Sequence, residues 1–285
     1  MAGTLKHPGE TLMQYWRTIG RVVLTSVALG GLPAAAQDEA PEQPETQEAA
    51  QELPSAESLF DRHIEAIGGK EAVFAIKSRK LTGRVKIYAG SAEKPQVTGI
   101  LRLHAEAPNK IIQEIVIVGS SSQKRVFDGT AGWLIMNQDA PVAMMGEELE
   151  RFAVASRFYA EADYENHFKS IETDDKQVSE VGSVYMVRVE HFSGRVEAYL
   201  FSEETGFLVG IVGQRAGADG QPVQFQRTYE EYTEFDGVKT TLLIREATGS
   251  QIIELVFSSV ENNVPMPEIE RPANIQDADI SGFQK

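Results

Sequence analysis

The sequence predicts a mainly β, α+β fold: about ten antiparallel strands curled into a barrel or half-barrel, with short helices. Three observations carry this. From Leu81 the apolar residues alternate with polar ones at a period of two, the signature of half-buried strands. Glycine-rich separators recur at regular spacing with one helical interruption, as in an antiparallel meander. Curling limits the exposed edges that so many strands would otherwise present. A chain of 285 residues, 42% apolar and 24% charged, can bury a core of that size.

Before the strands lies a helical lead-in. Leu59, Phe60, His63, Ile64 and Ile67 recur at three- and four-residue steps, and Gly68-Gly69 supplies the left-handed conformation that ends a helix. Lys70 to Ile76 reads as a second short helix, and His63 as a residue at the boundary of the apolar stripe. Leu81 to Tyr88 and Val97 to Ala105 then alternate as strands. Ile111 to Val118 (IIQEIVIV) is apolar on both faces apart from Gln113 and Glu114, so it must be covered on both. Arg125-Val126-Phe127 and Trp133 to Met136 flank the turn Asp128-Gly129 as a hairpin. Glu147 to Glu161 is predicted helical, with Leu149, Phe152, Ala153, Ser156 and Tyr159 on one face. Strands resume at Ser183–Glu190, Arg195–Phe201, Phe207–Val212, Val223–Tyr232, Lys239–Glu246 and Gln251–Val260, and the pattern fades after Pro265-Met266-Pro267.

The N-terminus has a different character. Arg17 and Arg21 precede the apolar run Val22 to Leu29, which leads to Ala34-Ala35-Ala36, the arrangement of a secretory signal peptide over 1–36. The run is shorter than the roughly 20 residues that span a bilayer. Residues 37–56 are acidic, contain three prolines and have almost no large apolar side chain, a composition that predicts a disordered linker. A single domain is expected over 57–272 and a polar C-terminal tail over 273–285. From these features a periplasmic location is expected.

Composition excludes several functions. The net charge of −15 argues against nucleic acid, whose phosphates need clustered Lys and Arg, and against anionic membrane surfaces. With no cysteine there is no disulfide, thiolate site or lipid-anchored cysteine. The histidines (His7, His63, His104, His167, His191) show no metal-binding spacing, and there is no nucleophile elbow. Gly206, Gly210 and Gly213 run into strand rather than into the helix that a phosphate loop requires. Glu230, Glu231, Glu234 and Asp236 read as a solvated acidic face. No catalytic residue, metal or cofactor is expected.

Gly99-x-Leu101, Ala107-Pro108-Asn109-Lys110, Asp128-Gly129-Thr130 and Trp133 together resemble the periplasmic lipoprotein-carrier (LolA/LolB-like) superfamily. Ala66-Ile67-Gly68-Gly69-Lys70 and Glu261-Asn262-Asn263-Val264-Pro265 extend the likeness to roughly Leu59–Pro272. The resemblance implies an incomplete antiparallel barrel whose concave face is covered or plugged by short helices around an apolar cavity for acyl chains. On that basis Ile115, Ile117, Trp133, Ile135, Phe152 and Tyr159 are the expected lining of a ligand cavity. The expected partners are a hydrophobic ligand, lipid or acyl chain, and an envelope protein. The resemblance implies a carrier or binding protein for lipid or lipoprotein acyl chains. In the carriers an arginine precedes the Pro-Asn corner, where this chain has Ala107, a departure that bears on lipoprotein shuttling and leaves general hydrophobe binding open. The alternative is an envelope scaffold whose core is filled by its own side chains.

Overall fold

The computed structural model describes residues 52–90, 93–179, 182–217 and 220–282, so the segment read as a signal peptide (1–36) and the linker up to residue 51 lie outside the described residues. Thirteen antiparallel strands form one unclosed sheet. In chain order they are β1 (Ser78–Ala89), β2 (Val97–Glu106), β3 (Lys110–Ile117), β4 (Ser121–Phe127), β5 (Gly132–Met136), β6 (Val142–Ala143), β7 (Ser170–Ser179), β8 (Gly182–Glu190), β9 (Val196–Ser202), β10 (Leu208–Ala216), β11 (Pro222–Phe235), β12 (Val238–Thr248) and β13 (Gln251–Asn262). Neighbours in sequence are neighbours in space, with one exception. β1 pairs with β13 and so joins a first meander, β1–β6, to a second, β7–β13. The incomplete barrel is as expected. Its strand number exceeds ten because β6 has two residues and β7 (SIETDDKQVS) offers only Ile171 and Val178 to an alternation pattern.

Among the described residues four helices accompany the sheet: α1 (Ala56–Ile67), α2 (Lys70–Ala75), α3 (Gly146–Ala155) and α4 (Tyr164–His167). α1 starts where Ser55 Oγ accepts the Ser58 N–H at 3.2 Å and stops at Gly68, as N- and C-terminal caps prescribe. Its stripe, Ala56, Leu59 and Phe60, packs on Val187, Val189, Tyr199, Phe201 and Ile211 of β8–β10. Leu149, Phe152 and Ala153 of α3 pack on Ile111 and Phe127, at the other arm of the sheet. α3 also reaches the first arm. The Ala216 N–H donates to Glu147 at 3.2 Å, and Arg195 Nε donates to Glu150 at 3.1 Å. It therefore ties the two meanders together across the inner face. The helix ends at Ala155, six residues before the sequence pattern suggests, so Tyr159 is not on it.

Directly opposed residues of an antiparallel pair share a face. By that rule the helices cover the face that carries Leu81, Leu101, Leu103, Ile115, Ile244, Leu255 and Phe257, which form the central core cluster. The opposite face of the same strands carries a charge ladder: Lys86–Glu254, Arg245–Glu254, Arg245–Glu230 and Lys124–Glu114. Two glycines let the sheet turn inward. A Cβ on Gly83 would overlap the Val256 carbonyl oxygen at a register shift of β1 against β13, and one on Gly99 would lie 3.0 Å from Val85 Cγ1. After β13 the chain is irregular but packed. Met266, Ile269 and Ile275 cover Ile112, Val126 and Trp133 on the outer face, and Ala278 and Ile280 reach the cluster around Phe127 and Leu149.

Candidate functional site

The inner face between α1 and α3 is floored by β12, β13, β1, β2 and β3. Alternation puts large aliphatic residues at many of the inward positions there, interspersed with Gly83, Gly99, Gln113 and Glu246. Ile244 (β12), Ile253 (β13), Ile87 (β1), Val97 (β2) and Ile115 and Ile117 (β3) form the row. Each is half-buried, whereas Val85 and Leu101 beneath them are fully buried. The closeness of Gly99 to both Val85 and Ile117 shows that the row is continuous across β1, β2 and β3.

The six residues expected from the sequence divide between locations. Ile115 and Ile117 lie in this row. Phe152 is buried under α3 beside Ile111 and Phe127. Trp133 is opposed to Val126 and Ile135 to Lys124, which puts both on the outer face, where Trp133 is 2% exposed beneath Ile275. Tyr159 sits past the end of α3, donating its hydroxyl to the Ile76 carbonyl at 2.7 Å with its ring 4.6 Å from Phe74. The structure thus brings Ile115 and Ile117 together and holds Trp133, Ile135 and Tyr159 apart from them. The inward residues of β1, β12 and β13 are missing from the lining that the sequence suggests. Their alternation is visible there, but only the strand pairing shows which alternating set faces inward.

Polar groups border the apolar row. On β10–β12, Arg215 and Arg227 share the Glu246 carboxylate, with Arg215 Nη1 at 2.5 Å and Arg227 Nη2 at 2.6 Å. Burial alone would raise Glu246, but the two guanidinium groups outweigh it and hold the carboxyl low. Burial alone would lower Arg227, and the adjacent Tyr229 and Glu246 reverse that. Arg227 nevertheless keeps 35% of its side chain accessible. Glu161 is similar: half-buried, with burial pushing its carboxyl up. Arg195 bridges Glu150 and Glu197, and Glu197 also meets His191 Nε2 at 2.8 Å. There burial would raise Glu197, and His191 and Arg195 hold it low. On β4, Arg125 points inward opposite Gln113 and Leu134.

His63, expected at a boundary, is 4% exposed. Its Nδ1 accepts the Leu208 N–H at 3.0 Å, and burial lowers the ring to about 4, so it is a neutral core residue. Among the described residues no group of three or more His, Asp or Glu side chains is arranged to hold a metal, and no helix is long and apolar enough to cross a membrane.

No protein-family model and no curated protein matches the sequence. Solved structures do. A LolA superfamily protein from Nitrosomonas europaea superposes with a TM-score of 0.52 at 11% identity, covering 75% of this chain and 96% of that one. A DUF1329 family protein from Desulfovibrio piger gives 0.52 at 9% identity, covering 74% and 95%. A putative outer membrane lipoprotein-sorting protein domain from Vibrio parahaemolyticus gives 0.50 at 9%, covering 75% and 94%. The chain has the LolA-like fold, in a thirteen-stranded form.

Proposed function

We propose that this protein is an exported, non-enzymatic carrier that binds the acyl chains of lipids or lipoproteins on the inner face of its incomplete barrel. The observation that carries the reading is the row Ile87, Val97, Ile115, Ile117, Ile244 and Ile253 on the inner face, each left half-buried by the protein's own core. An apolar patch of this kind marks a binding surface. Burying an acyl chain there contributes about 0.8 kcal/mol per methylene and needs no specific polar partner. Arg227 and Glu161 are half-buried, and burial works against the charged form of each, which agrees with positions on the wall of a concavity. The fold neighbours include a putative lipoprotein-sorting domain, which agrees with such a role. The signal-like N-terminus supports a periplasmic location, where an envelope protein would load or receive the cargo.

Native mass spectrometry of protein purified from its own envelope should show bound lipid, and a fluorescent fatty acid should be taken up. Ile253→Glu should weaken that uptake at least tenfold while the fold persists. Protein that is apo from the envelope and takes up no fatty acid would exclude a carrier. That result would favour the self-filled scaffold, for which Ala278, Ile280 and Phe152, already packed on the inner face, are the supporting observation.

A further inference from the structure

Arg125 stands out among the cations of the inner face. Each of the others has an ion-pair partner: Arg215 and Arg227 share the single Glu246 carboxylate, Arg195 meets Glu150 and Glu197, and Arg151 meets Glu147. Among the described residues no carboxylate lies within ion-pair distance of Arg125. Its Nε is sequestered from solvent and has no hydrogen-bond partner. The charged groups that face it are Glu148 and Arg151 of α3 and Glu246 of β12; the two carboxylates attract it from beyond contact, and Arg151 opposes them. Burial pushes its guanidinium down from the ordinary value. A buried guanidinium N–H without an acceptor is costly, and proteins rarely leave one without a partner to receive its hydrogen bond.

The surroundings define that partner. Across β3, Gln113 is directly opposed to Arg125; two residues away on the same face, Gln123 is opposed to Ile115. Ile115 and Ile117 continue from there into the apolar row. Gln113 and Gln123 bring side-chain amides, which can donate, to the same face beside Arg125, and the aliphatic row begins one residue pair away. A guanidinium and two amides at the head of an apolar strip match an amphiphile with a single anionic oxygen group at one end.

We infer that Arg125, with Gln113 and Gln123, is the headgroup subsite of the carrier and takes the carboxylate or phosphate of an acyl-chain ligand whose tail lies along Ile115 and Ile117. The inference rests on the carrier reading and makes it specific: the cargo is an anionic lipid. Carboxylate and phosphate share the oxygen pair that arginine binds bidentately.

The test is displacement of a neutral fluorescent probe, N-phenyl-1-naphthylamine, from the full chain by hexadecanol, palmitate and hexadecyl phosphate, which share one tail. Native protein should prefer at least one anion to the alcohol by about tenfold or more, as a charge-assisted hydrogen bond allows. The better anion identifies the headgroup source. Arg125→Met should abolish the preference and leave hexadecanol unchanged, and Arg125→Lys should retain part of it. Melting of the lipid-free Arg125→Met protein controls for folding and should be unchanged or raised, because an unpaired charge is lost. Equal displacement by all three ligands, or a preference that survives Arg125→Met, would overturn the subsite and leave the carrier intact. A native protein that binds neither probe nor ligand would overturn both.

Discussion

His63 lies on the inner side of α1 with its ring 5.9 Å from that of Phe201 and 6.5 Å from that of Tyr232. Its Nδ1 is anchored by the Leu208 N–H, 145 residues away in the chain. No local signal in Phe60-Asp61-Arg62-His63 announces that contact, and for this reason helical periodicity places the residue beside the stripe without showing it buried. The consequence is a pH dependence. The folded ring, at about 4, binds a proton less readily than the unfolded ring at 6.5. Between those values the unfolded state holds more protons, so stability falls as pH drops through that window and is fully kept above it. One such group accounts for about 3 kcal/mol over the window. Urea unfolding at pH 7 and pH 4.5 should show the loss, and His63→Gln should reduce the difference between the two pH values. Gly83 gives a second test at this scale. The Val256 carbonyl oxygen already occupies the space that a methyl group at Gly83 would need. Gly83→Ala should therefore cost about 1–3 kcal/mol in the same assay, and an unchanged midpoint would refute the close approach.

Elements differ in how much of themselves the sequence displays. β1, β2, β11, β12 and β13 alternate cleanly because one face meets a core and the other meets water, and each is legible. β7 is not: it is an edge strand, exposed at Val178 and polar along most of its length, and it is held by pairing to β8 rather than by a buried stripe. The segment after β13 is the opposite case. Met266, Ile269, Ile275 and Ile280 follow no period, so residues 273–285 read as a polar tail, yet Ile275 is 4% exposed and the Ala278 N–H donates to the Thr130 carbonyl at 3.1 Å. Arg271 ties the same segment to Asp128 and Asp277, each at 2.5 Å. Ile275→Ala should therefore destabilise by about 2–4 kcal/mol, as a buried aliphatic truncation does. Arg271→Ala, which breaks more exposed ion pairs, should cost about 1 kcal/mol or less. Thermal unfolding of the two variants would compare strap packing with strap charge, and equal losses would contradict this ranking.

For the whole molecule, the hydrophobic pattern specifies a sheet and its two faces, while the pairing of β1 with β13 decides where the inward faces meet. The strand pattern and the family resemblance suggest Ile115 and Ile117 as lining, and the structure puts both in the inner row. Pattern and resemblance cannot separate them from Trp133 and Ile135, because Ile111–Val118 is apolar on both sides and its outer residues are covered by a C-terminal strap with no sequence period. The inner charges are equally hidden: Arg125, Arg215, Arg227 and Glu246 look like ordinary outward residues of alternating strands until the register turns them inward. Removing β13 by ending the chain at Ser250 should leave neither meander able to complete the domain. Near-ultraviolet circular dichroism of that fragment is expected to show no fixed aromatic packing, and a native-like spectrum would mean that the meanders fold separately.

The β1–β13 pairing also has a cost in time. β1 is among the first parts of the domain to be synthesised, and its second partner is the last strand to be made. At about 5–20 residues per second, the wait is roughly ten to thirty seconds. During that interval the growing chain carries an open strand edge flanked by Val85 and Ile87, the kind of edge that can pair with another chain, until Asn262 emerges.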